Sequence, residues 1–317
     1  MLTEIPLLIG FHELNWSWPT MPPDVLATGI LLLAFGMFAT LERYSPSAKL
    51  SATLIRQSYK TNIGLLIFNS LVVSFLSATS LLMVAHQYFS PGLLGKVSDP
   101  WIKAALSFLA IDLLLYSWHK ACHRFDGLWM FHKVHHNDPS LNVSTGFRVH
   151  IVELLATHLL KGAMVIVMGI DISVVLVNEV ATTLFIMLHH SNISFQGEKW
   201  FGLVFNAPYL HRAHHSTQRD EHDSNYGAVL SIWDRIFGTL MEREPLAIGI
   251  KGNSPQDFIG LVKFGFTLQT PLAPQPVDLE SMIAVAAYYR AEKRDFYPGQ
   301  ALNDWLEAKK EIVLLAL

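Results

Sequence analysis

The sequence predicts an all-α fold: a multi-span integral membrane helical bundle with a cytosolic histidine-rich cap that holds a dimetal site. Three observations carry this expectation. Hydrophobic residues make up 51% of the 317 positions and charged residues only 15%, a balance that favours a membrane protein. Uncharged apolar runs recur at lengths that suit bilayer-crossing helices. Of fifteen histidines, all but His12 and His86 fall between His119 and His222, many three or four residues apart.

The composition also excludes. The net charge is −3, and the basic residues form no stripe that could follow a phosphate backbone, so no nucleic acid partner is expected. The single cysteine, Cys122, allows no internal disulfide and no thiolate pair. Any metal must therefore use nitrogen or oxygen ligands.

Met1 to Pro23 lacks the basic start and small-residue cleavage site of a secretory signal and reads as part of the mature chain. Its apolar stretch Ile5–Phe11 is too short to cross a bilayer and is expected at the interface with Trp16 and Trp18. The first span is expected over Val25–Leu41, ending at Glu42-Arg43. A second, about Ile63–Ala85, contains Asn69 and several serines, which must pair with neighbouring helices. The third, Trp101 to about Trp118, carries Asp112. An acid at that depth is expensive, so Asp112 is expected to support the metal site from behind its ligands.

Two further apolar segments, Ile151–Ile170 and Ser173–Leu188, are joined only by Asp171-Ile172, which implies an antiparallel helical hairpin with both ends on one side. His158, Lys161, Asn178 and Glu179 interrupt it, and hydropathy leaves open whether it crosses or dips and returns. The chain becomes more polar from His190 onward, and Pro245–Leu317 reads as extramembrane or surface-lying. Three regions follow: a two-span N-terminal membrane region at 1–100, a catalytic region at 101–242, and a C-terminal tail at 243–317. Loop charge sets the orientation. Arg43, Lys49, Arg56 and Lys60 follow the first span, and Lys120, Arg124, Lys133 and Arg148 follow the third, which places the histidine segments in the cytoplasm.

The histidines form His119-x-x-x-His123, His132-x-x-His135-His136 and His211-x-x-His214-His215, with His189-His190 closing the hairpin. Residues three and four apart project from one helical face, so each motif presents imidazoles to one ion. Neutral imidazole suits Fe, Zn, Cu and Ni alike. Count narrows the choice further: a zinc site uses three or four ligands, whereas the motifs offer eight, and nine with His190, so two metals are implied. His189 and His190 point in different directions on a helix, and His190 is the preferred ligand. His12, His86 and His158 read as ordinary structural histidines. His150 and His222 are candidates to support the ligands, carry protons or contact substrate, and Asp138, Asp220 and Asp223, each close in sequence to a ligand, are candidates to support the ligands only.

These residues resemble the fatty acid hydroxylase superfamily, also called the sterol desaturase family, of membrane di-iron oxygenases. The resemblance runs from about Ala110 to Leu240. It rests on Asp112-x-x-x-Tyr116-x-Trp118-His119, Trp129-x-x-His132-x-Val134-His135-His136, Phe147-Arg148-x-His150, His190-x-Asn192-Ile193 and His211-Arg212-x-His214-His215-Ser216. Asn225-Tyr226-Gly227 and Trp233-Asp234-Arg235-Ile236-Phe237-Gly238-Thr239 are similar to the family's ending, and the latter reads as a turn and core anchor. The resemblance implies a helical scaffold with two non-haem Fe ions at His119, His123, His132, His135, His136, His211, His214 and His215, with His190 as a further ligand. The doublet His189-His190 leaves the alignment of that last ligand open by one residue.

The implied activity is an O2-dependent oxidation of a lipid C–H bond, by hydroxylation or desaturation, in lipid biosynthesis. The sequence has no haem-binding His-Pro-Gly-Gly, no glycine-rich dinucleotide fingerprint and no cysteine set for an iron–sulfur cluster. Electrons are therefore expected from a separate ferredoxin, b-type cytochrome or reductase. The membrane would be the plasma membrane in a bacterium and the endoplasmic reticulum in a eukaryote. The competing class is a histidine-rich membrane metal transporter or metal-binding protein, which should place its ligands near the bilayer midplane. A zinc protease is disfavoured because no H-E-x-x-H is present.

Overall fold

The computed structural model describes residues 22–76, 92–268 and 279–315. Within them the chain is built from helices joined by turns, with only isolated β-bridges among the described residues. The expected interfacial stretch Ile5–Phe11 lies outside the described residues.

Helix α1 spans Pro23–Tyr44, with proline at its first position, Asp24 in its first turn and Arg43 in its last, all favourable at those ends. Helix α2 (Ala52–Phe75) starts where the Ser51 hydroxyl accepts from Leu54 N. It begins well before the expected second span, and residues 77–85 of that span lie outside the described residues. The inward face of α2 is polar: Ser58, Thr61, Asn62 and Asn69 are buried. Asn69 donates to Val149 O at 2.9 Å, the kind of pairing an amide between apolar helices requires.

Helix α3 (Pro100–Arg124) is capped by Asp99, which accepts from Trp101 N and Ile102 N, both at 2.9 Å. It continues past the expected end at Trp118, so His119 and His123 lie on its last turns. Phe125 breaks it, and α4 (Asp126–His136) follows. The hairpin consists of α5 (Ile151–Met168) and α6 (Ile172–His190), with Gly169 at φ 68° closing α5 in the left-handed region that glycine tolerates. At 18 and 19 residues these helices are roughly 27–29 Å long, close to the thickness of a hydrocarbon core. By length and composition α1, α3, α5 and α6 suffice to cross a membrane.

The elements are pinned at the histidine end. Glu42, at the end of α1, accepts from Val143 N at 2.6 Å, Asn192 N at 2.7 Å and the Tyr59 hydroxyl at 2.8 Å. Behind α4, the buried Asp138 accepts from Ser58 at 2.7 Å, Asn62 at 3.0 Å and Thr145 at 2.8 Å, with the Arg148 guanidinium 3.6 Å away. Arg148 in turn donates to Asn137 O at 3.0 Å and Gln256 Oε1 at 2.8 Å.

Two compact units divide the chain, residues 1–268 and 269–317. The expected tail boundary at 242/243 falls inside the first of these. Residues 243–268 pack back through Gly249 N to His215 O at 3.0 Å and through Leu261, buried with Leu65 and Val134. Among the described residues the second unit holds two helices, Leu279–Glu292 and Ala301–Leu315, which pack through Ile283, Ala287 and Ala308.

Candidate metal centre

Four elements bring histidines to one place. The C-terminal turns of α3 supply His119 and His123, α4 supplies His132, His135 and His136, the last turn of α6 supplies His190, and α7 (Pro208–His214) with its cap residue supplies His211, His214 and His215. They form two groups: His119, His123, His132, His136 and His214 in one, and His135, His190, His211 and His215 in the other. In each group the candidate donor atoms all lie within 4.8 Å of one another. These are the eight histidines of the motifs and the preferred His190, but each H-x-x-H-H motif is divided between the two groups, His132 and His136 from His135 and His214 from His211 and His215, so a motif does not serve a single ion.

The orientation of each ring follows from what holds its far side. Tyr226 O lies 2.9 Å from Nδ1 of His119, Ser224 O lies 2.6 Å from Nδ1 of His214, and Ile186 O lies 2.7 Å from Nδ1 of His190. A carbonyl only accepts, so each Nδ1 carries the proton and Nε2 is left as the donor lone pair. Carboxylates serve two more: Glu153 Oε1 is 2.7 Å from Nδ1 of His132, and Asp223 Oδ1 is 3.2 Å from Nδ1 of His123.

The inward nitrogens crowd together. Nε2–Nε2 separations are 3.1 Å for His119 and His132, 3.0 Å for His135 and His190, 2.9 Å for His190 and His211, and 3.2 Å for His211 and His215. Adjacent ligands at about 2.1 Å from one ion lie roughly 3 Å apart when mutually perpendicular, so these spacings fit a shared cation. Nε2 of His123, His136 and His214 is buried without a protein hydrogen-bond partner, a costly state that a metal would relieve. Burial, reinforced by neighbouring imidazoles, lowers His132 and His135 to about 3 and drives His136, His211, His214 and His215 well below the usual histidine range. All six are neutral at pH 7, the ligating form.

The remaining expected positions fall in different places. His190 belongs to the second group; His189 lies outside both groups, its ring 4.0 Å from that of His211. Asp112 does not support a histidine. Its carboxylate accepts from Val229 N at 3.0 Å, Leu230 N at 3.2 Å and Trp233 Nε1 at 2.8 Å, so the acid pays its burial cost by anchoring the chain after Tyr226. Asp138 belongs to the network behind α4, and Asp220 is not a hydrogen-bond partner of either group. His150 caps α5 by accepting from Val152 N. His222 stacks on Trp129 and lies 3.6 Å from Asp223. Glu153 is the site residue that sequence reading missed. Its signal was an acid one turn into an apolar segment, the same signal that singled out Asp112.

A cavity of about 340 Å³ opens on both groups, lined by His119, His132, His135, His190 and His211 and by Leu115, Trp118, Leu154 and Ile186 among others. A membrane-type helical bundle with histidines gathered into two adjacent metal-ligating groups beside such a cavity defines the class of protein.

Comparison with known proteins agrees with that class. The family model described as fatty acid hydroxylase matches residues 104–239, the stretch that holds all nine clustered histidines. Ornithine lipid hydroxylase OlsE of Rhizobium tropici is 29% identical over 180 residues, covering 55% of this chain and 52% of the relative. Alkylglycerol monooxygenase of Homo sapiens is 31% identical over 154 residues, covering 48% and 34%. Cholesterol 25-hydroxylase of Rattus norvegicus is 28% identical over 244 residues, covering 73% and 74%. The chain thus spans about half or less of the length of the first two. A family of unknown function matches residues 278–313. No solved structure matches. With four candidate spans among the described residues, the chain is a membrane protein carrying a candidate metal site.

Proposed function

We propose that this chain is a membrane di-iron oxidoreductase that uses O2 to hydroxylate or desaturate a C–H bond of a lipid. The observation that carries the reading is the opening of both histidine groups onto one cavity walled by apolar helices. One iron would be held by His119, His123, His132, His136 and His214, and the other by His135, His190, His211 and His215. When bound, the pair would supply the redox chemistry that side chains alone lack, and the family and the hydroxylase and monooxygenase relatives favour iron over zinc.

The protein's own part is positioning. Carbonyls of Tyr226, Ser224 and Ile186 fix three rings, and Glu153 and Asp223 hold His132 and His123 while raising their basicity. Leu115, Trp118, Leu154 and Ile186 contribute apolar wall to the cavity onto which the histidines open, which limits water and side reactions. Hydroxylation of one C–H bond by O2, with one oxygen atom leaving as water, consumes two electrons and two protons. The electrons come from a separate ferredoxin, b-type cytochrome or reductase. The chain is multi-pass with its histidines on the cytoplasmic side, in the plasma membrane of a bacterium or the endoplasmic reticulum of a eukaryote. Residues 1–100 and 101–242 act as membrane region and catalytic region, with 243–317 extramembrane.

The test is metal analysis of the anaerobically purified, iron-reconstituted protein in detergent, beside a variant carrying His135→Ala and His136→Ala. The expected result is about two irons per chain in the wild type, lost in the variant, and O2-dependent lipid oxidation with an added donor. One tightly held zinc and no oxygen consumption would overturn the reading in favour of a metal-binding or transport role.

A further inference from the structure

All but one of the clustered histidines are buried, and His119 is only partly open, so an ion must reach them through the protein. The cavity beside them has mostly apolar walls, a poor path for a hydrated cation. His123, His136 and His214 do not line that cavity. Another side of the cluster offers a graded way in. Side-chain exposure rises from 1% at His123 through 15% at His222 and 36% at Asp223 to 73% at Arg219. The short helix Arg219–His222 and its cap residue Asp223 carry the outer members of this series.

His123, His222 and Asp223 form a further set of donors, all within 4.8 Å of one another. Asp223 Oδ1 lies 3.2 Å from Nδ1 of His123 and 3.6 Å from Nε2 of His222. His222 is held as the ligands of the buried groups are held. Ser216 O lies 3.2 Å from its Nδ1, which fixes the proton there and leaves Nε2 as a lone pair. Its ring also stacks on Trp129, with centroids 5.2 Å apart and 20° between the planes. Two imidazoles and one carboxylate with open positions are a donor set that suits ferrous iron and similar divalent ions. Arg219 covers the set from outside, its Nε 3.3 Å from Oδ2 of Asp223. An exposed pair of this kind costs little to open.

We propose that His123, His222 and Asp223 form a peripheral cation site through which a divalent metal ion enters the group of His119, His123, His132, His136 and His214. Arg219 releases Asp223 to the incoming ion, and Nε2 of His222, the Asp223 carboxylate and Nδ1 of His123 replace part of its water. His123 belongs to this set and to the buried group alike, and its Nε2 is buried without a protein hydrogen-bond partner. A neutral imidazole has one lone pair, so the ring serves one site at a time. On transfer the ring proton leaves Nε2 and Nδ1 takes one up, where Asp223 accepts it. Five imidazoles outbid two imidazoles and a carboxylate, so the ion moves inward, and His222 and Asp223 are free for the next. This inference rests on the di-iron reading.

The test mixes the metal-free full chain in detergent with cobalt(II), a spectroscopically visible stand-in for ferrous iron, without oxygen. Uptake is followed by the visible absorption of the bound ion, and bound metal is counted at the end. Wild type and His222→Phe are both expected to finish with about two ions per chain. Phenylalanine keeps a ring on Trp129 but has no nitrogen, so in this variant one of the two ions should enter about tenfold more slowly, the scale of one lost ligand. Arg219→Gln removes the charge that covers Asp223 and should speed the same phase. A purely structural role would not move the two variants in opposite directions at an unchanged final count. Uptake by His222→Phe at the wild-type rate, a final count below that of wild type in His222→Phe, or slower uptake by Arg219→Gln would overturn the inference alone. A wild type that binds fewer than two ions would overturn the di-iron reading and this inference with it.

Discussion

Glu153 Oε1 lies 2.7 Å from Nδ1 of His132, and both side chains are almost wholly buried. The carboxylate fixes the imidazole's tautomer and orientation from behind, so its loss should be read at the metal. We expect Glu153→Ala to weaken metal binding about 10–100-fold, the usual cost of removing such a support. Glu153→Gln, which keeps an acceptor oxygen but loses the charge, should fall between the two. Competition titration against a chelator measures this, and unchanged affinity in Glu153→Ala would show that the pair does not act on the ion.

The adjacent histidines 189 and 190 should separate cleanly. His190 has its Nε2 3.0 Å from that of His135 and 2.9 Å from that of His211, while His189 joins neither group. His190→Ala should therefore lose metal from the group it shares with His135, His211 and His215, whereas His189→Ala should keep the full complement. Metal-to-protein ratios decide between them, and the opposite pattern would reassign the ligand.

Asp112 yields a prediction about stability. Its carboxylate satisfies two backbone N–H groups and the Trp233 indole, and a few residues upstream Tyr226 O holds His119. Asp112→Ala strands these donors and should cost about 2–4 kcal/mol, seen as a lower unfolding temperature in detergent for both metal-free and metal-loaded protein. Loss of metal affinity with no change in metal-free stability would instead support a direct role at the centre.

Much of this site was legible because its chemistry is local. Four-residue spacings put His119 with His123, His132 with His136 and His211 with His215 in one group each, whereas His135 and His214 leave their own motifs for the opposite group. What was not legible depends on chain crossings. The partnership of Glu153 with His132 joins residues on different helices, and the engagement of Asp112 with Val229–Trp233 spans more than a hundred residues. The placement of His190 in the second group and of His189 outside both follows the rotation of α6, which periodicity does not fix to a single residue. The continuation of the first unit to residue 268 was hidden by the polar composition of 243–257, which satisfies buried partners such as Asn137, a donor to Pro255 O at 2.8 Å.

The buried pair of Asp138 and Arg148 should govern acid stability of the metal-free protein. Burial raises the Asp138 carboxyl, but the Arg148 charge and hydrogen bonds from Ser58, Asn62 and Thr145 outweigh it and hold the group below the usual aspartate range. A depressed carboxylate gives stability that is fully present above its unfolded value, near 4, and is lost as pH falls through the lower folded value. Asp138→Asn leaves Arg148 buried without its counter-charge and should cost about 3–5 kcal/mol at neutral pH, the usual cost of breaking such a pair. The gap between variant and wild type should narrow below about pH 4, where the unfolded wild-type chain takes up a proton that the native carboxylate binds only at lower pH. Unfolding measured from pH 7 to pH 3 for both proteins tests this, because a gap that stays constant across that range would assign the loss to packing and not to charge.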